Sequence, residues 1–271
     1  PIEVVDMGLR GFTRKIGILK DYNANFQCGQ CHNAANRYLT YKWLKDDKPV
    51  RPEDLQKAGV SPYATEFFKD PLESWAWFKA KGWHQGVNGT TGVHYVNGSD
   101  HPHVEIMLQS KHGQAGVTCT DCHFARKADG KAEHQPSLVK LKVENTCMRS
   151  ACHGPGSKSN WTDPGQALYT IEAIQQEYRI RVQKMEMAAK DAQRIFMKLK
   201  AGEASLPQEV KEKLETAYEK YLSARDWYLT DLSSGFHDPE GFNRTVSVVT
   251  WELRKTNAAA QGALKKTPVK Q

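Results

Sequence analysis

The sequence contains no apolar stretch near the roughly 18 residues needed to cross a bilayer, so no membrane span is expected. It has no cysteine outside three short clusters, which leaves no spare thiol for a disulfide framework. It also has no dense basic run. The 38 Lys plus Arg exceed the 31 Asp plus Glu by +7, but they are scattered, and the densest group, Lys265, Lys266 and Lys270, is a tail. Nucleic acid is therefore not expected as a partner. No strand–helix–strand pattern surrounds the cysteine pairs, which argues against a thioredoxin-like redox motif. Mean hydropathy is low at −0.66. The 7 Trp, 10 Tyr and 9 Phe among 271 residues nevertheless suffice for a core, so disorder is not expected either. The chain starts at Pro1 with neither Met nor a signal-type apolar stretch, which reads as a processed end or a cut.

What the sequence does contain is concentrated in the cysteines. Cys28-Gly-Gln-Cys31-His32, Cys119-Thr-Asp-Cys122-His123 and Cys147-Met-Arg-Ser-Ala-Cys152-His153 each end in histidine. The first two are C-x-x-C-H, the attachment signature of c-type haem. Two thiols add across the two vinyl groups of the porphyrin, and the following imidazole reaches the iron as proximal ligand. The third cluster has four residues between its cysteines and reads as a bulged variant. All-thiolate zinc sites use such pairs two at a time, and three pairs leave one over. Three covalent haems are the expectation, with His32, His123 and His153 as proximal ligands. Their six propionates balance most of the +7, so part of the Lys and Arg excess is expected to pair with them. Haem attachment of this kind occurs outside the cytoplasm, so a periplasmic or extracellular location is expected.

Two regions are expected. Residues 1–160 are punctuated by Gly and Pro and read as an irregular haem-binding region with little sheet. Residues 161–271 read as long antiparallel helices that serve packing or dimerisation, which makes the fold class mainly α. Asp163-Pro164 is a helix start. The apolar series Leu168, Ile171, Tyr178, Val182, Met185, Ala189, Ala192, Phe196 and Leu199 keeps three-four spacing, broken only at Gln175, up to Gly202. A helix of about 36 residues, some 50 Å long, exceeds the usual globular length, so one end is expected to pack on a partner chain. Pro207 opens a second helix with Val210, Leu214, Ala217, Tyr221, Ala224 and Tyr228. Asp238-Pro239 opens a third with Phe242, Val246, Val249 and Leu253.

Seven further histidines remain: His84, His94, His101, His103, His112, His134 and His237. A haem closed by a second histidine transfers electrons, whereas one with an open sixth position can bind substrate. Seven imidazoles for three irons is a surplus.

The ordered series formed by Cys28-Gly-Gln-Cys31-His32, Ser99-Asp100-His101-Pro102, Ser110-Lys111-His112-Gly113, Gly116 to His123, Glu133-His134, the third haem cluster and Ser234 to Pro239 resembles a known family. It is similar to the C-terminal three-haem portion of the pentahaem ammonia-forming cytochrome c nitrite reductases and to the octahaem hydroxylamine oxidoreductases. The resemblance implies that His112 is the distal ligand of the third haem and His237 that of the second. It implies that His134 ligates a haem this chain does not encode. The first haem would take its distal ligand from a preceding segment or a partner, with His84 and His94 as local substitutes. His101 matches the substrate-pocket histidine, which helps supply protons and is the candidate catalytic residue. The long helices match the family's dimer interface. Departures accompany the match. No C-x-x-C-K is present, Ala34 and Ala35 stand where the family has Glu and Tyr, and Gly98 and Asp100 replace its calcium-holding Lys and Gln. These count against calcium and against ordinary nitrite chemistry.

The expected function is electron transfer along closely spaced bis-His haems within a nitrite-reductase-like or hydroxylamine-oxidoreductase-like assembly. The alternatives are catalysis on nitrite, hydroxylamine or a related small nitrogen or sulfur compound at an open haem, and a subunit of an extracellular cytochrome polymer. Expected partners are a redox cytochrome or a quinol-oxidising membrane cytochrome, together with a second copy or another haem-bearing chain.

Overall fold

The structure is a computed structural model that describes residues 2–9, 12–19, 23–29, 32, 44–45, 48–50, 68–96, 101–124, 131 and 136–266. Helices dominate it. An antiparallel hairpin, β1 (Ile2–Leu9) and β2 (Phe12–Leu19), runs in unbroken register from Ile2 opposite Leu19 to Leu9 opposite Phe12. The irregular region was expected to carry little sheet. The β-branched residues Ile2, Val4, Val5, Thr13, Ile16 and Ile18 account for this element, because they favour extended backbone.

Short helices follow: α1 (Asn25–Gly29), α2 (Pro71–Ala80), α3 (His103–Gln109), α4 (Lys111–Gln114), α5 (Cys119–His123) and α6 (Val143–Thr146). Two-residue strands lie between them, including β5 (Trp83–His84), β6 (Gly86–Val87) and β7 (His94–Tyr95), numbered after β3 (Leu44–Lys45) and β4 (Lys48–Pro49).

Three long helices complete the chain: α7 (Pro164–Lys200), α8 (Gln208–Leu229) and α9 (Pro239–Lys266). Asp163 caps α7 by accepting the Gln166 N–H at 3.3 Å, with Pro164 at the first position. At 37 residues α7 is about 55 Å long. Its predicted stripe faces the core. Ile171, Tyr178, Met185, Ala189, Ala192 and Phe196 are buried, and Val182 and Leu199 are partly buried. On α8 and α9 the same holds for Leu214, Ala217, Tyr221, Ala224, Tyr228, Phe242, Val246, Val249 and Leu253.

The core does not stop at the bundle. Phe68, Phe78, Trp83, Val93, Val96 and Ile106 join the same cluster, so the region before the long helices is packed onto them. A second, smaller cluster centres on Val143, Ala167 and Ile171 and takes in Cys147, Met148, Trp161, Leu168 and Phe236. It seats the third cysteine loop against the start of α7.

Candidate haem-binding site

The cysteine loops converge. Cys28 lies in α1, and Cys119 and Cys122 lie in α5. The Asn25 side chain accepts the Cys119 backbone N–H at 2.7 Å, which ties the first loop to the second. Asp121 closes a capping box with Thr118 and pairs with Arg149 at 3.2 Å, which ties the second loop to the third. In that third loop the two extra residues fold into a turn closed by Cys152 N–H to Arg149 O at 2.8 Å, and His153 N–H returns to Cys147 O at 3.0 Å. The four-residue spacing is thus accommodated in a hydrogen-bonded turn. Burial is the main cause that pushes the Cys119 thiol up to about 12 and the Cys122 thiol up to about 11. Neighbouring cysteines add to both shifts, Cys28 at the first and Cys147 at the second. Both are therefore neutral thiols at pH 7. Cys31 lies outside the described residues.

The histidines form facing pairs. His153 and His112 have ring centroids 5.9 Å apart at 87°, and His123 and His237 are 6.1 Å apart at 62°. His32 faces His101 at 5.6 Å and 87°. Two imidazoles on opposite sides of one first-row metal, each bonded at about 2 Å, have centroids roughly 6 Å apart. All three separations fit that arrangement. Burial lowers the pKa of His32, His112 and His153, with neighbouring imidazoles contributing at the first two. These rings are thus neutral at pH 7, the form that ligates metal.

Two of these rings are held through Nδ1. His153 Nδ1 hydrogen-bonds Ser159 Oγ at 2.8 Å, its backbone carbonyl accepts Trp161 N–H at 2.7 Å, and Trp161 stacks on the ring at 4.5 Å. His237 Nδ1 contacts Asp231 Oδ1 at 3.1 Å. In both cases Nε2 is left for a metal. Ser110 places His112, accepting the Gly113 N–H at 3.0 Å and donating to Met107 O at 2.7 Å. A Cβ at Gly113 would meet Met107 O at 2.0 Å, so the residue after His112 must be glycine.

Paired thiols beside facing neutral imidazoles are the donor set of covalent haem, and the described residues fit that group.

His84 and His94 do not join this cluster. They pair with each other on β5 and β7 with centroids 4.5 Å apart, too close for an iron between them. His134 lies outside the described residues, as do Ala34, Ala35, Gly98 and Asp100, on which the calcium expectation rests. Two residues without an assigned role in the sequence reading emerge. His103 sits with Nδ1 3.1 Å from His32 Nδ1, and burial, followed by neighbouring His237, lowers it to about 4. Asp231 is buried at the foot of the loop carrying His237. Only the short spacing from His101 could have drawn attention to His103, and nothing in the spacing marks Asp231.

The fold and donor set define a mainly helical multihaem c-type cytochrome. Residues 20–271 match the cytochrome c552 family, and the chain belongs to it. It is 28% identical over 138 residues to cytochrome c-552 of Bacteroides thetaiotaomicron, covering 46% of this chain and 22% of that protein. To the cytochrome c nitrite reductase subunit NrfA of Nitratidesulfovibrio vulgaris it is 23% identical over 223 residues, 78% of this chain and 40% of that one. Among solved structures, the fold resembles the catalytic subunit of cytochrome c nitrite reductase from Desulfovibrio desulfuricans, a protein with two calcium sites. The TM-score is 0.62 at 18% identity, covering 89% of this chain and 48% of that one. The chain thus spans about a fifth of the first relative and less than half of the others. Among the described residues, no helix is long and apolar enough to cross a membrane.

Proposed function

We propose that the chain is an electron relay carrying three haems, each held by a cysteine pair and closed by two histidines. The attachment pairs are Cys28 and Cys31, Cys119 and Cys122, and Cys147 and Cys152. The axial pairs are His32 with His101, His123 with His237, and His153 with His112. One observation carries the reading: each proximal imidazole faces a second one at 5.6 to 6.1 Å. When bound, haem supplies one-electron chemistry between ferric and ferrous iron. The protein's own part would be to supply two imidazoles to each iron, leaving no place for a small molecule, and it holds the three cysteine loops together through Asn25 and the Asp121–Arg149 pair.

The assignment of His101 to the first haem replaces a ligand from outside the chain. It also sets the alternative. If His101 instead stands free beside an open first haem, it is a proton donor to nitrite, hydroxylamine or a related small nitrogen or sulfur compound. That role needs His101 to be accessible, and it is partly exposed, as His112 and His237 also are. His134 is proposed to serve a haem borne by another chain or segment, and calcium has no proposed role. Residues 1–160 hold the cofactors and residues 161–271 provide packing and a surface for a second copy. Export to the periplasm or cell exterior, and exchange with a redox cytochrome or quinol-oxidising membrane cytochrome, complete the proposal.

Electron paramagnetic resonance of the pure holoprotein tests it. Only low-spin ferric signals, unchanged by nitrite or hydroxylamine, are expected. A high-spin signal that shifts with either compound overturns the relay in favour of catalysis. His112→Ala is expected to convert one haem, the third, to high spin.

A further inference from the structure

Asp231 stands out among the groups surrounding the histidine cluster. Its side chain is 1% exposed, in the loop between α8 and α9. Oδ1 accepts the Ser233 N–H at 3.1 Å and faces His237 Nδ1 at the same distance. Oδ2 accepts the Ser233 hydroxyl at 2.7 Å and the Gly235 N–H at 3.1 Å. His103 Nε2 is 4.0 Å from Oδ1. A carboxylate buried this deeply, touching Nδ1 of a ring whose centroid lies 6.1 Å from that of His123, is in the place of a tuning group. The third haem site offers the internal contrast. There the partner of the proximal ring, Ser159 at His153 Nδ1, is a neutral hydroxyl at 2.8 Å.

We infer that Asp231 is the positioning residue of the second haem. It takes the Nδ1–H of His237, fixes the tautomer that presents Nε2 to the iron, and gives that imidazole partial imidazolate character. The added electron density and the buried negative charge favour ferric over ferrous iron, so the second haem is the more reducing of the pair formed with the third. This rests on the proposed ligation by His237. The loop bonds from Ser233 and Gly235 give Asp231 a structural role too, and the two roles separate by charge. Asp231→Asn keeps the shape and removes the charge, whereas Ser233→Ala loosens the loop and leaves the charge.

Spectroelectrochemical titration of the holoprotein decides it. Asp231→Asn is expected to raise the potential of one haem by at least a tenfold change in its reduction equilibrium, about 59 mV for one electron. That haem should stay low-spin and be the one that His237→Ala turns high-spin. Ser233→Ala, which keeps the carboxylate charge and removes only a donor to it, is expected not to raise that potential. The wild-type protein supplies a reading without any variant: the near-infrared charge-transfer band of one haem should lie at higher energy than the others, as imidazolate character requires. If His237→Ala leaves every haem low-spin, the ligand assignment fails. If it opens one haem while Asp231→Asn moves neither potential nor band, the role of Asp231 fails. Should the Asn variant not mature, identical near-infrared bands for all wild-type haems overturn it equally.

Discussion

His101 and His103 are two residues apart and meet His32 in different ways. His103 approaches Nδ1 of His32 at 3.1 Å, the nitrogen a ring uses for support when Nε2 binds metal. His101 meets the same ring edge-on at 5.6 Å, the geometry shared by the other two pairs. His101→Ala is therefore expected to turn the first haem high-spin, while His103→Ala leaves it low-spin; magnetic resonance of the two variants checks this. The Asp121–Arg149 pair has a different weight. Its side chains are 34% and 42% exposed, so it contributes about 1 kcal/mol or less. Its value is in registering two cysteine loops, and Arg149→Ala should lower the yield of fully attached holoprotein more than its melting temperature.

The loop from Thr230 to Asp238 is the element on which the proposed second haem would depend. Gly235 has φ +79°, and a Cβ there would come within 2.7 Å of Tyr178 Cδ2. Tyr178 is itself fixed, its hydroxyl donating to the Tyr228 carbonyl. Gly235→Ala combines left-handed strain with a clash and is expected to cost roughly 2–4 kcal/mol, measured by denaturant unfolding. It should also loosen His237 and bring a fraction of high-spin iron. Within the bundle, Leu253 is fully buried, and Leu253→Ala is expected to cost roughly 2–5 kcal/mol without altering the haem spectra. The long helices were legible in the sequence because Asp-Pro starts, a glycine stop and three-four spacing all agree. The hairpin was not, because the cofactor motifs drew the whole first region into one irregular class. The His112–His153 and His123–His237 pairings could be carried over from the family series. The Asp231 contact could not, since it depends on how the turn through Ser233 and Gly235 folds back, and spacing does not record that.

At the scale of the whole molecule, three cofactors would lie among loops tied to one another through Asn25 and the Asp121–Arg149 pair and backed by the three long helices. Six propionates would offset nearly all of the +7 charge. Intact-mass measurement of holoprotein matured in a competent host is expected to give the chain plus three haems, and fewer would show that the third cluster is not an attachment site. Exposed Tyr169, Met187 and Trp251 on the long helices are available to a second copy.

The small cluster around Val143, Ala167 and Ile171 has a consequence for assembly. Because Cys147, Met148 and Phe236 pack into it, the last attachment loop, the opening turns of α7 and the segment before His237 share one patch of packing. A polypeptide that leaves the maturation machinery without its final porphyrin would lack support there, while the far ends of the three helices stay shut. Limited proteolysis should then nick such chains between about residues 155 and 170 and spare finished ones. Incomplete products would in this way expose themselves to degradation before they could divert electrons.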